Sequence, residues 1–511
     1  MKTNLVQYFE ETVARCPDRI AVWDKGQTYS FREIAIRAQE RAQEIHACDT
    51  AIRRIVAVFL PKCVGVTIAD FGILMSGNGF MNLDVKTPVE RIGEILKNVQ
   101  PLAIITNDAG RQTLASVWDG ASLPIEQALA FDIREKTWIG TWDFFGNHMI
   151  DADPFCIINT SGSTGVPKGV VTPFRGFHNF VLWTIETYRM RQDVEAAASV
   201  SPVFFDAFVL ELLLMSVIGL TQVLVPDSYR MFPVKILQLM QEQQVSFFLW
   251  VPTIMVNIAN AGLLERYPVK SLRVGWFAGE ICPPHQANQW IASHPDATFV
   301  NLYGPMEVTV VCTYYNIPGM VDESKPIPIG KSIDNYDVAL LTEDGTRIVE
   351  PGVEGEICVR GSVIAFGYYG MPEKTAGVFK QVPGNTKYEE KFYHTGDYGM
   401  FDVDRNILFC GRKDTLVKHS GYRIELAEIE HAIFTSARLA QYGCVVYDFK
   451  RREIVVFYEA SEDLDEGMTR RALMQYLPKY MLPTKFNRVA SMPRNGAGKI
   501  DRARLEAQVN Q

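Results

Sequence analysis

The sequence predicts an α/β protein of more than one domain, with helices layered against mostly parallel sheets. Three observations carry this. The chain has 511 residues, beyond the length at which a single hydrophobic core keeps growing. It is 47% hydrophobic and 22% charged, which is globular rather than disordered or fibrous. And over roughly the first 400 residues, short apolar runs alternate with segments of helical period, the pattern of layered βα units.

The elements follow in order. The first residues, Met1 to Glu11, are amphipathic and acidic, unlike a secretory signal. Residues 53–60 are a buried strand, and a helix follows over 64–77. Residues 102–106 and 222–225 are further short apolar strands. The longest apolar run, 204–220, is broken by Asp206, Glu211 and Gly219. It falls short of the ~18 uninterrupted residues of a membrane span, so no membrane association is expected. Residues 401–409 carry turn signals at Asp402, Asp404 and Asn406 and predict a hairpin. After residue 411 a compact α/β unit begins, with a helix over 425–436 and strands over 443–447 and 453–458. There is no internal repeat and no low-complexity segment.

A net charge of −8 lacks the clustered basic excess of a nucleic-acid footprint. The nine cysteines are scattered, without a C-x-x-C pair. They read as small buried hydrophobes of a protein in the reducing cytoplasm. The eight histidines show no H-E-x-x-H spacing, so metal is expected only in company with a nucleotide.

Residues 155–170 are the richest in chemistry. An apolar strand runs into Thr160, Ser161, Gly162, Ser163, Thr164 and Gly165, and then Lys168 and Gly169. Glycines permit close backbone approach and positive φ; the hydroxyls donate hydrogen bonds and the lysine adds a charge. This is a loop suited to phosphates. Its spacing is not G-x-x-x-x-G-K-[ST], so phosphoryl transfer of the Walker type is not indicated.

The loop resembles the phosphate loop of the adenylate-forming superfamily: acyl-CoA synthetases, luciferases and the adenylation domains of non-ribosomal peptide synthetases. Further motifs of that family stand in the same order along nearly the whole chain. They include Tyr29-Ser30-Phe31, residues 74–84, Asn301-Leu302-Tyr303-Gly304-Pro305-Met306-Glu307, Gly355-Glu356-Ile357 and Tyr393-His394-Thr395-Gly396-Asp397. Gly411-Arg412-Lys413-Asp414, residues 477–483 and Asn495-Gly496-Ala497-Gly498-Lys499 complete them. The resemblance implies a large N-terminal adenylation core over residues 1–411, with layered sheets and a β-barrel-like subdomain. It also implies a small mobile α+β domain over 412–511, hinged at Asp414, with Lys499 as its catalytic lysine.

In such an enzyme a carboxylate attacks the α-phosphate of ATP. Glu307 is implied to hold Mg²⁺, Gly304 and Met306 to approach the nucleotide, and Tyr303 to stack on adenine. Asp397 is implied to accept from the ribose hydroxyls with Arg412 beside it. Met306 departs from the usual threonine and removes one hydroxyl contact, worth about 1 kcal/mol. The segment 418–423 is implied to enter the site for thiol transfer, with Gly421 lining the thiol tunnel.

Asp206 chooses among subfamilies. An ionised aspartate in an apolar segment is costly unless a cation meets it. In amino-acid-activating relatives that cation is the substrate's α-ammonium group. Carried over by motif, the side-chain pocket comprises Ala207, Leu210, Leu249, Trp276, Ala278, Leu302, Val310 and Val311. The set is apolar, and Trp276 takes up volume. A small or compact apolar amino acid, L-proline foremost, is therefore expected, with ATP and Mg²⁺ required. The partner is a separate phosphopantetheinyl carrier protein in secondary-metabolite biosynthesis, since no carrier domain follows Lys499. The alternatives are a D-alanine–carrier-protein ligase of teichoic acid modification and an acyl- or aryl-CoA synthetase.

Overall fold

The computed structural model describes residues 2–140, 149–161, 167–412, 416–437, 439–440, 442–460, 462–494 and 500–510. Two large sheets and a third antiparallel one make up most of it. In the nine-stranded sheet the strands Thr298–Tyr303, Val274–Ala278, Phe247–Trp250, Ala196–Ser199, Thr221–Leu224 and Ile20–Asp24 run parallel. Antiparallel strands close both edges. In the seven-stranded sheet Ile55–Phe59 lies between Gly79–Asn82, the central strand, and Ile104–Thr106, all three parallel. Beyond Gly79–Asn82 come Pro154–Thr160 and its antiparallel partner Lys168–Pro173.

The helices Val64–Met75 and Asp206–Ile218 are apolar nearly all round and almost wholly buried, as expected of helices with no solvent face. One hydrophobic cluster joins them to strands of both sheets, including Val22, Val56, Phe80, Leu224 and Phe247. Polar ties cross it: Thr67 Oγ1 donates to Gln222 at 2.9 Å and Asn82 Nδ2 to the Val203 carbonyl at 3.1 Å. The helix Phe31–Cys48 begins at a capping box, with Ser30 and Glu33 each accepting from the other's backbone N–H.

Where the resemblance implies a barrel-like subdomain there is a six-stranded antiparallel sheet. Its long strands Lys391–Phe401 and Ile407–Arg412 form the expected hairpin. Asp402 closes the turn by accepting from the N–H groups of Asp404 and Asn406. From Leu416 onward the chain builds its own hydrophobic clusters around Tyr442–Asp448, Glu453–Glu459 and the helix Leu426–Glu430, whose last turn widens into a π-helical stretch over His431–Ser436. Among the described residues no helix is long and apolar enough to cross a membrane. Five cysteines are buried as expected, but Cys48 and Cys410 are exposed and Cys16 and Cys63 half-buried.

Candidate active site

The site lies where the C-terminal ends of the sheet strands meet a hairpin from the C-terminal part of the chain. Thr160 pairs with Lys168 across the strands Pro154–Thr160 and Lys168–Pro173, which sets these two ends of the glycine-rich segment side by side. Gly162, Ser163, Thr164 and Gly165 lie outside the described residues, as do Asp414 and Lys499. A cavity of about 210 Å³ opens beside the loop. Its walls include Thr160, Ser161, Asp206, Ala207, Leu249, Ala278, Gly304, Met306, Val310, Val311, Asp397, Arg412 and Gly421. The fold thus gathers residues that lie as much as 260 positions apart.

Asp206 is the first residue of its helix. Its Oδ1 accepts from the adjacent Ala207 N–H, at 2.9 Å. That is not the contact of a helix cap, which would reach two or three residues on. Among the described residues no cation lies within ion-pair distance of it. Burial pushes its carboxyl up to about 6, with Lys418 opposing at longer range. The carboxylate thus stands on the cavity wall with backbone hydrogen bonds but no ion-pair partner among the described residues.

Asp397, on the strand Lys391–Phe401, sits directly across from Arg412. The Arg412 guanidinium donates to Oδ1 at 2.6 Å and the Tyr303 hydroxyl to Oδ2 at 2.5 Å. Tyr303 is buried, and the Lys418 ammonium lies 5.6 Å from its ring centre. Its face is therefore covered in this arrangement rather than open to a base. Glu307, in the short turn Met306–Val308, is fully buried and off the cavity wall. It accepts from Tyr368 at 2.7 Å and from Arg423 at 2.7 Å. Burial alone would raise its carboxyl; the Arg423 charge and both hydrogen bonds outweigh that and hold it below the usual range.

Leu210, Leu302 and Trp276 are buried and do not line this cavity. Trp276 packs among Phe180, Tyr188 and Phe247, with ring centres 6.1, 5.2 and 5.2 Å away. It lies on the same face of the sheet as the wall residues Leu249 and Ala278, one step deeper.

The hairpin Leu416–His419 and Tyr422–Glu425 enters the site. Gly421, at φ +85°, turns it; a Cβ there would meet Val251 at 2.9 Å, so only glycine fits. The Gly421 N–H donates to Glu280 at 2.6 Å, and Glu280 also accepts from the N–H and hydroxyl of Thr253. Beyond the turn, Arg423 pairs with Glu307, and Glu425 accepts from Lys168 at 2.6 Å. Ser161 Oγ donates to the Arg423 carbonyl at 2.8 Å and accepts from the Glu425 N–H at 3.1 Å. A buried Arg91–Glu428 ion pair anchors the following helix. Lys418 and Arg423 belong to the segment 418–423 implied by the resemblance to enter the site, whereas Glu425 and Glu280 lie outside the residues named from sequence. The alternation of Arg423 and Glu425 with Tyr422 and Ile424 was the available signal, since it places both charges on one face of a strand.

Histidine spacing gave no metal site, yet the cross-strand partners Cys358 and His394 and the neighbouring Glu356 bring three ligand atoms within 4.8 Å of one another. Glu356 there accepts from both His394 and the Gly396 N–H, a bracing role for the strand that carries Asp397.

Residues 9–369 match the family described as AMP-binding enzyme. Among curated proteins the chain is similar to zwittermicin A synthase ZmaJ of Bacillus cereus, at 29% identity over 98% of this chain and 94% of that one. It is 28% identical to the delta-poly-L-ornithine synthetase of Acinetobacter baumannii over 99% of its length, which is 36% of that longer protein. The Vibrio cholerae adenylation domain AlmE, solved with glycyl-adenosine-5′-phosphate, superposes with a TM-score of 0.83 at 20% identity, covering 100% and 98% of the two chains. The fused adenylation–PCP protein NpsA–ThdA of Klebsiella oxytoca superposes with a TM-score of 0.78 at 21% identity, covering 96% and 94%. With the family model matching residues 9–369, and with a cavity walled by the family's own motifs, the chain belongs to the AMP-binding enzymes, ligases of the adenylate-forming type that use ATP.

Proposed function

We propose that the protein activates an amino acid with an apolar side chain as its aminoacyl adenylate and passes it to the phosphopantetheine thiol of a separate carrier protein. The observation that carries this is Asp206, a half-buried carboxylate with no ion-pair partner among the described residues, beside an apolar wall of Ala207, Leu249, Ala278, Val310 and Val311. An α-ammonium group answers the carboxylate; a charged side chain against that wall would stay unpaired and be rejected. Similarity to a zwittermicin synthase and to an adenylation–PCP protein supports the same reading.

In the first step a substrate carboxylate oxygen attacks the α-phosphorus and pyrophosphate leaves. Both reactants are anions, so the site supplies charge and alignment. Lys168, Ser161 and the loop between them hold phosphates, Asp397 and Arg412 hold the ribose, and Lys499 bridges the two reacting groups. Glu307 suits Mg²⁺, which takes few protein oxygens beside phosphate and water, once Arg423 has withdrawn from it. The ion would neutralise phosphate charge there. In the second step the thiol sulfur attacks the acyl carbon, AMP leaves, and the thiol proton passes to solvent. Residues 1–411 then act as the core and 412–511 as the moving part about Asp414, with the hairpin seated as seen here for thiol transfer.

Amino-acid-dependent ATP–pyrophosphate exchange, run over neutral amino acids including L-proline, glycine and both alanine enantiomers, tests this. Exchange with one apolar L-amino acid is expected. Strong D-alanine activity would move the protein to teichoic acid modification, and exchange only with plain carboxylic acids would remove the role of Asp206.

A further inference from the structure

Away from the adenylation cavity, three side chains able to ligate a metal meet on the antiparallel sheet. Glu356 and Cys358 lie two apart on the strand Glu354–Gly361, so they project from the same face. His394, on the strand Lys391–Phe401, is the cross-strand partner of Cys358. Its Nδ1 stands 2.8 Å from a Glu356 carboxylate oxygen and 3.4 Å from the Cys358 sulfur. Cys358 is fully buried, in a small apolar cluster with Ala339, Leu341 and Phe392. The His394 and Glu356 side chains are 17% and 22% exposed. The group thus has a closed apolar floor and a side that water reaches.

Hydrogen bonding alone does not satisfy this arrangement. A neutral imidazole Nδ1 either donates to the carboxylate or accepts the thiol proton, so one of the two contacts goes unmet. A divalent ion accepts all three groups at once. Zinc binds thiolate sulfur at about 2.3 Å and imidazole nitrogen or carboxylate oxygen at about 2.0–2.2 Å, which at the tetrahedral angle sets ligands roughly 3.3–3.6 Å apart. The Cys358–His394 separation already has that value, and Glu356 has to retreat from His394 by only about 0.5 Å to reach it. One thiolate and one carboxylate also balance the two charges of the ion. The exposed Lys380 is the neighbouring cation that bears on both Glu356 and Cys358; its long stem lets the ammonium turn to water.

We propose that Glu356, Cys358 and His394 form a site for one zinc ion, with water as the fourth ligand. Binding releases the Cys358 thiol proton to solvent. Thiolate and imidazole select zinc over Mg²⁺, which prefers oxygen ligands, so the site is separate from the nucleotide's metal and independent of which acid the enzyme activates. An ion held there also fixes Glu356, whose other oxygen accepts from the Gly396 N–H at 3.0 Å, next to Asp397 of the adenylation cavity.

The test adds Co²⁺, a spectroscopic stand-in for Zn²⁺, to the full-length protein after chelator treatment and gel filtration. One equivalent should bind and give a thiolate-to-cobalt charge-transfer band. Zn²⁺ should displace it, and a large excess of Mg²⁺ should not. Cys358→Ser should abolish the band. His394→Gln and Glu356→Gln, both at partly exposed positions, should each weaken binding at least tenfold, since even residues one shell out are worth about 10–100-fold. Circular dichroism without metal checks that each variant is folded; if Cys358→Ser is not, the His394→Gln titration decides. The proposal is overturned by a wild type without the band, by displacement with Mg²⁺, or by unchanged affinity in His394→Gln. A band that survives Cys358→Ser also overturns it, and assigns the sulfur to an exposed thiol such as Cys48 or Cys410.

Discussion

Asp206 is half-buried at the cavity wall, and desolvation there raises its carboxyl to about 6. Its sign is informative. The folded state binds more protons than the unfolded chain between about 4 and 6, so this residue makes stability fall as pH rises through that window, by roughly 3 kcal/mol. Asp206→Asn should therefore leave the melting temperature at pH 7.5 unchanged or higher. Its effect on catalysis should be the opposite. Losing the partner of a buried ammonium costs about 3–5 kcal/mol, so kcat/KM for the amino acid should drop at least a hundredfold, with ATP affinity retained by calorimetry. For the wild type, kcat/KM for the amino acid should decline as pH falls below about 6, because the protonated carboxyl no longer attracts the ammonium; a flat profile down to pH 5 would contradict the assignment.

At this scale much of the site was legible. Asp206 announced itself by breaking an apolar run, and Asp397, Arg412 and Met306 stand on the cavity wall with it. Trp276 shares its face of the strand with Ala278 and with its cross-strand partner Leu249, both on the cavity wall, but stands two positions deeper, among Tyr188 and Phe247. Neither apolarity nor order in the sequence distinguishes a wall residue from the one that supports it.

Among elements, the hairpin Leu416–His419 and Tyr422–Glu425 carries the sharpest expectations. Its turn allows no Cβ at Gly421, which would both clash with Val251 and strain a φ of +85°. Gly421→Ala should cut thioester formation at least tenfold, with adenylation altered little, read by loading and by exchange in parallel. Arg423→Gln should act alike for another reason: it leaves Glu307 buried without its cation in the seated state, a penalty of about 3–5 kcal/mol. The strands and helices were largely legible, because burial on both sides or one leaves an apolar run or a period. The hairpin's partners were not, since pairs such as Lys168–Glu425 and Arg423–Glu307 join residues more than a hundred positions apart and have no local pattern.

For the whole molecule, the core and the C-terminal part are expected to serve two steps in two arrangements. Lys499→Ala should abolish exchange while still forming thioester from supplied aminoacyl adenylate. Arg423→Gln should do the reverse. Two variants failing in the same step would contradict the alternation.

Ser161, Lys168 and Glu307 each have one set of contacts to give. In the structure they are spent on the backbone and side chains of residues 423–425. Anything that grips the same three groups and the hairpin are thus rivals for one seat. If the proposed function holds, such an enzyme is expected to keep time by exclusion: until the inorganic product of the first reaction departs, the part of the chain that would admit the thiol has nowhere to sit, and the activated acid stays shielded from a premature acceptor.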